Sequence, residues 1–217
     1  MHIQTSDQPQ FNLGFGGYSC NWGIHLCALY ESEKERDEIA LSFLCQGNTD
    51  GDLQLYCPAE TTAEGFSRRM AARCPDCARD IGKPDRYQVY LPKDLYYPSG
   101  EFSPQAMDQG LDALFDASQA RGPRNLRVVG EMVWARDAIP GVEHLMVYES
   151  RMNYFIPGKP LAAICMYNLN RFPGSAIMNV LRTHPFTISG GVIVENPYYQ
   201  KPHDWLRGNA PRFANAS

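Results

Sequence analysis

Short apolar runs alternate with longer amphipathic stretches along most of this chain, and each change of period marks a predicted element. Ile24 to Tyr30 is a short apolar run that reads as a first strand. Glu31-Ser32-Glu33 then opens a helix to about Gln46, with Ser32 as N-cap and acidic residues suited to the helix dipole. Gly47-Asn48 and Asp50-Gly51 supply its stop. Leu53 to Cys57 is a second strand. Thr61-Thr62-Ala63-Glu64 resembles a capping box for a helix that buries Phe66, Met70 and Cys74, until Pro75 interrupts it or starts a turn.

Tyr87 to Leu91 is the third predicted strand. Ser103-Pro104 caps an amphipathic helix with Met107, Leu111, Leu114, Phe115 and Ser118 on one face, ended by Gly122-Pro123. Leu126 to Trp134 is nearly continuously apolar, as in a strand covered on both faces. A helix from about Val142 to Phe155, a strand from Leu161 to Tyr167 and a helix from about Ser175 to Thr183 follow. Phe186 to Val194 reads as two short strands around Gly190-Gly191, or as one bent strand. This alternation predicts one α/β domain over residues 23–206, with a mostly parallel central sheet and helices on both faces. Residues 1–22 lack periodicity and are expected to form a flexible or capping arm; residues 207–217 are expected to be a disordered tail.

Composition narrows the function. The 217 residues carry a net charge of −4 and no Lys/Arg-rich run, which argues against direct nucleic-acid binding. No apolar stretch approaches the ~20 residues of a membrane span, and the N-terminus has no signal-peptide pattern, so a cytoplasmic location is expected. The seven cysteines, an odd count, are expected to be free thiols in a reducing compartment, with Cys27, Cys57 and Cys165 inside apolar runs.

The first strand-to-helix turn, Leu29-Tyr30-Glu31-Ser32-Glu33-Lys34-Glu35, is where a nucleotide-binding α/β protein places its phosphate loop. It has no glycine and no Gly-Lys-Ser/Thr, and its three carboxylates repel phosphate at a helix N-terminus. Gly14-Phe15-Gly16-Gly17 offers no substitute, because no helix follows it. Polar and aromatic residues cluster after the later apolar runs, where the carboxyl ends of parallel strands open onto a crevice. Glu149 lies on the inward stripe of its helix and must be paired; the alternatives are a structural arginine pair, for instance with Arg182, and a ligand-facing role. Glu131 follows the buried strand, but no nucleophile, metal quartet or oxyanion pattern accompanies the two carboxylates. Cys74-Pro75-Asp76-Cys77 fits core packing, half a metal site or a redox couple. His184 before Pro185 fits either a helix C-terminal cap or a ligand contact.

Seven ordered motifs resemble the MEDS family of methanogen and methylotroph regulators, one member of which responds to dichloromethane. They are His25-Leu26-Cys27-Ala28-Leu29-Tyr30-Glu31-Ser32, Tyr97-Pro98-Ser99-Gly100-Glu101-Phe102, Gly130-Glu131-Met132-Val133-Trp134, Tyr148-Glu149, Arg171-Phe172-Pro173-Gly174, Arg182-Thr183-His184-Pro185 and Glu195-Asn196-Pro197-Tyr198-Tyr199. The resemblance, spanning roughly Asn21 to Trp205, implies a sensory domain that is RecA-like without a phosphate loop. It further implies a small-molecule ligand, either a C1 or a small apolar compound. The regulatory partner it implies is a kinase, an anti-sigma-type module or a DNA-binding module; homo-oligomerisation stays open. The chain itself carries none of those partner modules, so it is expected to be a stand-alone member or an excised domain. The ligand-binding positions expected are His25, Tyr30, Glu31, Glu131, Trp134, Glu149, Tyr167, Arg171 and His184, with no catalytic residue. The alternative is a metal- or haem-dependent redox sensor built on Cys20, His25, Cys27, Cys74 or Cys77; a third is an enzyme descended from the ATPase fold.

Overall fold

The computed structural model describes residues 9–81, 83–120, 122 and 124–213, the side chains of residues 78 and 210–213 excepted. Seven strands form the central sheet: β3 (Ile24–Tyr30), β4 (Leu53–Cys57), β5 (Tyr87–Val89), β6 (Leu126–Glu131), β7 (Leu161–Asn168), β8 (Phe186–Ser189) and β9 (Val192–Glu195). Their spatial order is β5-β4-β6-β7-β3-β8-β9. All neighbours pair parallel except β8 and β9, which form an antiparallel hairpin turning at Gly190-Gly191.

Helices cover both faces, as the alternation predicted. On one face lie α1 (Glu33–Asp50) and α2 (Ala63–Arg73). Ser32 and Thr62 are their N-caps, accepting hydrogen bonds from the Glu35 and Gly65 amides. Ile39, Phe43, Phe66 and Met70 fill this side of the core with Leu26, Tyr56 and Ile164. The short α3 (Pro92–Leu95) leads to the opposite face, which carries α4 (Pro104–Gln119), α5 (Leu145–Phe155) and α6 (Gly174–Thr183). Met107, Tyr148, Met152 and Val180 pack there against Leu55, Ala163 and Cys165. Period-2 alternation along β3 therefore sends Leu26 and Ala28 to one core and Cys27 and Leu29 to the other.

Two expectations at the ends are corrected. Residues 9–22 are not a flexible arm: β1 (Gln10–Asn12) and β2 (Ser19–Asn21) form an antiparallel hairpin whose Phe11, Leu13, Cys20 and Trp22 are buried. Phe11 stacks on Trp22 with ring centroids 4.2 Å apart. Gly14 takes a left-handed conformation where a Cβ would come within 2.2 Å of the Ser42 carbonyl, so only glycine lets the hairpin loop press on α1. Likewise, residues 207–213 continue α7 (Pro202–Phe213), anchored by buried Trp205. Residues 1–8 and 214–217 lie outside the described residues.

Arg127 explains why the hairpin is fixed. It is the one arginine in β6, fully buried, and its guanidinium meets Asp52 Oδ2 and Asp50 Oδ2 at 2.7 Å each. It also donates to the Asn12 carbonyl at 2.9 Å and the Phe43 carbonyl at 3.2 Å, and lies over the Phe11 ring. Every face of the buried charge is answered, and one of the answers comes from β1.

Candidate functional site

The most concentrated buried polar chemistry lies between the sheet and the α5–α6 pair. Glu149 projects from α5 on the same stripe as Leu145, Tyr148 and Met152, and is fully buried. Burial alone would raise its carboxyl, but His184 and His25 outweigh that and hold it well below the usual carboxylate range. Its Oε1 accepts from the Tyr167 hydroxyl at 2.6 Å. Its Oε2 meets His25 Nε2 at 3.3 Å, His184 Nε2 at 3.4 Å and Cys165 Sγ at 3.5 Å. His25 Nε2 is also 3.5 Å from Cys165 Sγ.

The outer contacts set the tautomers. Asn153, one turn after Glu149, donates its amide to the carbonyls of Glu149, Ser150 and Thr183. Its Oδ1 is therefore an acceptor, and His25 Nδ1 at 3.3 Å is the donor. His184 Nδ1 lies 2.8 Å from the Val180 carbonyl and donates there. Both imidazoles thus turn Nε2 toward Glu149. Burial and the neighbouring His184 push His25 below the ordinary histidine range. Burial and then Glu149 push the Cys165 thiol and the Tyr167 hydroxyl well up.

A second network sits on the opposite face, at the carboxyl ends of the strands. Glu131 ends β6 and accepts from the Ala59 and Glu60 amides at 2.7 and 2.6 Å, from the Tyr56 hydroxyl, and from Arg36 Nε at 3.4 Å. Glu60 in turn accepts from Tyr30 Oη at 2.5 Å and from Asn168 Nδ2 at 2.9 Å. The ends of β3, β4, β6 and β7 are tied together through these two carboxylates.

The nine positions expected to share one crevice are therefore divided. His25, Glu149, Tyr167 and His184 converge on the α5–α6 face, whereas Tyr30 and Glu131 join the other network. His25 is the second residue of β3, so the converging group lies along the face of the sheet rather than beyond its carboxyl ends. Trp134, in a 3-10 turn (Val133–Arg136), stacks on Tyr96 at 4.5 Å and packs beside Tyr97 and Phe102. Glu31 and Arg171 are exposed. Glu149 pairs with histidines, not an arginine: Arg151 bonds Asp108, and Arg182 bonds Asn179.

Among the weak metal candidates, Cys74 and Cys77 are joined by a disulfide rather than free. Cys20 is buried in the hairpin, and Cys27 contacts Thr187 Oγ1 at 3.5 Å, so neither joins His25. Cys165, Asn153, Glu60, Tyr56, Arg36 and Asn168 were not anticipated as site residues. Three signals pointed to some of them: the i, i+4 spacing of Glu149 and Asn153, the same-face alternation of Cys165 and Tyr167, and the polar residues directly after the Leu161–Tyr167 run, which include Asn168.

A narrow apolar cleft adjoins the histidine cluster on the α4–α5 side. Leu55, Tyr96, Met107, Leu114, Met152 and Cys165 are among its walls, so Cys165 faces both the cleft and Glu149. The β3–α1 turn carries no glycine, and Glu35 fills the space before α1 by accepting the Gly190 amide at 3.0 Å and the Glu31 amide at 3.0 Å.

Comparison with known proteins now bears on this arrangement. The family model for MEDS, the MEthanogen/methylotroph, DcmR Sensory domain, matches residues 24–185. The chain belongs to the MEDS family. This MEDS domain is 24% identical over 164 residues to the transcriptional repressor DcmR of Methylorubrum extorquens. The match covers 75% of this chain and 58% of the repressor, less than two thirds of that relative. The fold is RecA-like: the KaiC-like protein PH0186 of Pyrococcus horikoshii superposes with a TM-score of 0.60 at 12% identity, covering 84% of this chain and 80% of the other. The flagellar accessory protein FlaH of Methanocaldococcus jannaschii gives 0.60 at 13% identity, covering 90% and 92%. Family membership and the repressor relative support a regulatory, sensory role. Among the described residues no helix is long and apolar enough to cross a membrane.

Proposed function

We propose that this MEDS domain is a non-catalytic sensor that holds a small, weakly polar molecule of the one-carbon class in the apolar cleft between the sheet and α4–α5. The observation that carries this reading is the cleft itself, apolar on nearly every wall and closed at one side by Cys165 of the buried histidine–carboxylate cluster. The cleft has about 30 Å³ free, room for little more than one water, so an apolar solute enters only as flexible walls such as Met107 and Met152 move aside. A phosphate-bearing ligand is disfavoured by Glu31, Glu33 and Glu35 at the N-terminus of α1.

Helix α5 is the element through which occupancy would be read. Its Tyr148 and Met152 border the cleft, its Glu149 holds the cluster, and it packs against α4, α6 and α7. A ligand that contacts one setting of α5 better than another shifts the balance between them. The net charge of −4 favours signalling through a protein module, a kinase, an anti-sigma-type module or a DNA-binding module, over direct contact with DNA.

Thermal unfolding in sealed cells with dichloromethane or methanol as probes tests the proposal. The wild-type transition rises with probe concentration as mass action requires. In Leu114→Trp, which fills the cleft from α4, the rise is lost; Leu111→Phe is a milder second filler. Equal rises in the wild type and both folded variants would place binding elsewhere.

A further inference from the structure

We propose that His25, Glu149, Cys165 and His184 form a tetrahedral binding site for one zinc-class divalent cation. The inference stands on the cluster alone and does not depend on what occupies the apolar cleft.

The first support is the donor set. One ligand atom from each of these four residues lies within 4.8 Å of every other, and all four residues are buried. Two imidazole nitrogens, a carboxylate oxygen and a thiolate sulfur are a zinc-type combination. The second is spacing. Ligands at about 2.0–2.1 Å for nitrogen or oxygen and about 2.3 Å for sulfur, set at tetrahedral angles, stand about 3.3–3.4 Å apart, or about 3.6 Å where sulfur is one of the pair. Four of the six edges are 3.3 Å for His25–Glu149, 3.4 Å for His184–Glu149, and 3.5 Å for both Cys165–Glu149 and Cys165–His25, and the two from His184 to His25 and Cys165 lie within 4.8 Å.

The outer contacts supply a third, independent argument. Both histidines donate Nδ1–H outward, His25 to Asn153 and His184 to Val180, so each turns Nε2 toward one carboxylate oxygen and presents a lone pair there whenever its ring is neutral. His184 Nε2 is buried and has no hydrogen-bond partner. Electron-rich atoms converging in this way repel one another unless a metal cation or a shared proton stands among them, and the two cases differ in metal content. Metal-binding histidines characteristically carry such a second bond, and ligating carboxylates are themselves hydrogen-bonded, as Glu149 is by Tyr167. A dication with the Glu149 carboxylate and the Cys165 thiolate is neutral overall, which suits a buried site; the thiol proton leaves to solvent on binding. A cleft between α5 and α6 reaches Tyr167, which holds Glu149, although none of the four ligand residues lines it.

The test uses the full chain. Protein purified without chelator is assayed for metal by mass spectrometry, and chelator-treated protein is titrated with Co²⁺ while its absorption is recorded. The proposal expects one zinc ion per chain and a thiolate-to-cobalt charge-transfer band. That band disappears in Cys165→Ser and survives in Cys27→Ser, the neighbouring buried thiol. Tyr167→Phe, which keeps all four ligands, weakens binding about 10–100-fold. Circular dichroism confirms that each variant is folded, and the wild-type metal content reads the site without any variant. Wild-type protein with no bound zinc and no cobalt spectrum would mean that a shared proton closes the cluster, and would overturn the proposal. So would a thiolate band that survives Cys165→Ser and is lost in Cys45→Ser, because Cys45 lies beside the Cys74–Cys77 pair instead.

Discussion

Replacing Arg127 with methionine tests whether the N-terminal hairpin belongs to the domain. Methionine keeps much of the stem's volume and removes a guanidinium that is fully buried. The change strands Asp52, only 2% exposed, with Asn125 Nδ2 at 2.9 Å as its remaining side-chain donor. Asp50 is 34% exposed at its side chain and can take up water instead. The carbonyls of Asn12 and Phe43 each lose a donor. Breaking a buried pair by removing one partner costs about 3–5 kcal/mol, which for a 217-residue chain is roughly 6–20 °C in melting temperature. Urea unfolding followed by circular dichroism measures the loss, and limited proteolysis reports whether residues 9–22 become cleavable first. The double variant Arg127→Met/Asp52→Asn relieves the stranded charge and should cost less than the two single changes added together. A single-variant loss below about 1 kcal/mol, or strict additivity, refutes the account of Arg127 as the clasp on β1.

Two further outcomes follow from the site geometry. Glu131→Gln leaves one oxygen to serve the Ala59 and Glu60 amides and the Tyr56 hydroxyl, a loss of about 2–3 kcal/mol given hydrogen bonds to charged groups. The urea midpoint should fall with an unchanged slope; an unchanged midpoint sinks the network as described. Gly130→Ala puts a methyl 2.3 Å from Tyr96 Oη, and because both residues line the apolar cleft, the displaced ring alters its walls at about 1–3 kcal/mol of overpacking. Dichloromethane should stabilise that variant less than the wild type in thermal unfolding, and an undiminished shift contradicts the cleft assignment.

Much of the fold was legible because its signals are local. Ser32 caps where its position predicted, the second cap falls at Thr62, one residue past the Thr61 of the expected capping box, and Phe66 and Met70 bury at their helical spacing. The hairpin escaped notice because its two strands are three residues each, too short for a period, and Phe11, Leu13, Cys20 and Trp22 are scattered among glycines and polar residues. Helix α7 was hidden by a polar run whose anchor is a single tryptophan. The inward position of Glu149 was readable from its stripe, yet its partners were not. His25 and His184 approach it only because β3 lies between β7 and β8, a topological fact that no spacing encodes. The strand alternation that puts Cys165 and Tyr167 on one face puts Asn168 on the other, so residues adjacent in sequence serve separate networks. Glu60 sits in a connecting loop with no periodicity and matters through what reaches it from three strand ends, those of β3, β6 and β7.

Methyl NMR of methionine-labelled protein during titration with dichloromethane shows whether a small molecule sits in the cleft beside α5. Met107 and Met152 line the cleft, whereas Met70 packs on the opposite face of the sheet. Saturable shifts are expected at Met107 and Met152 with Met70 unmoved. Shifts equal at all three, or none at Met107 and Met152 when the probe saturates solution, contradict binding there.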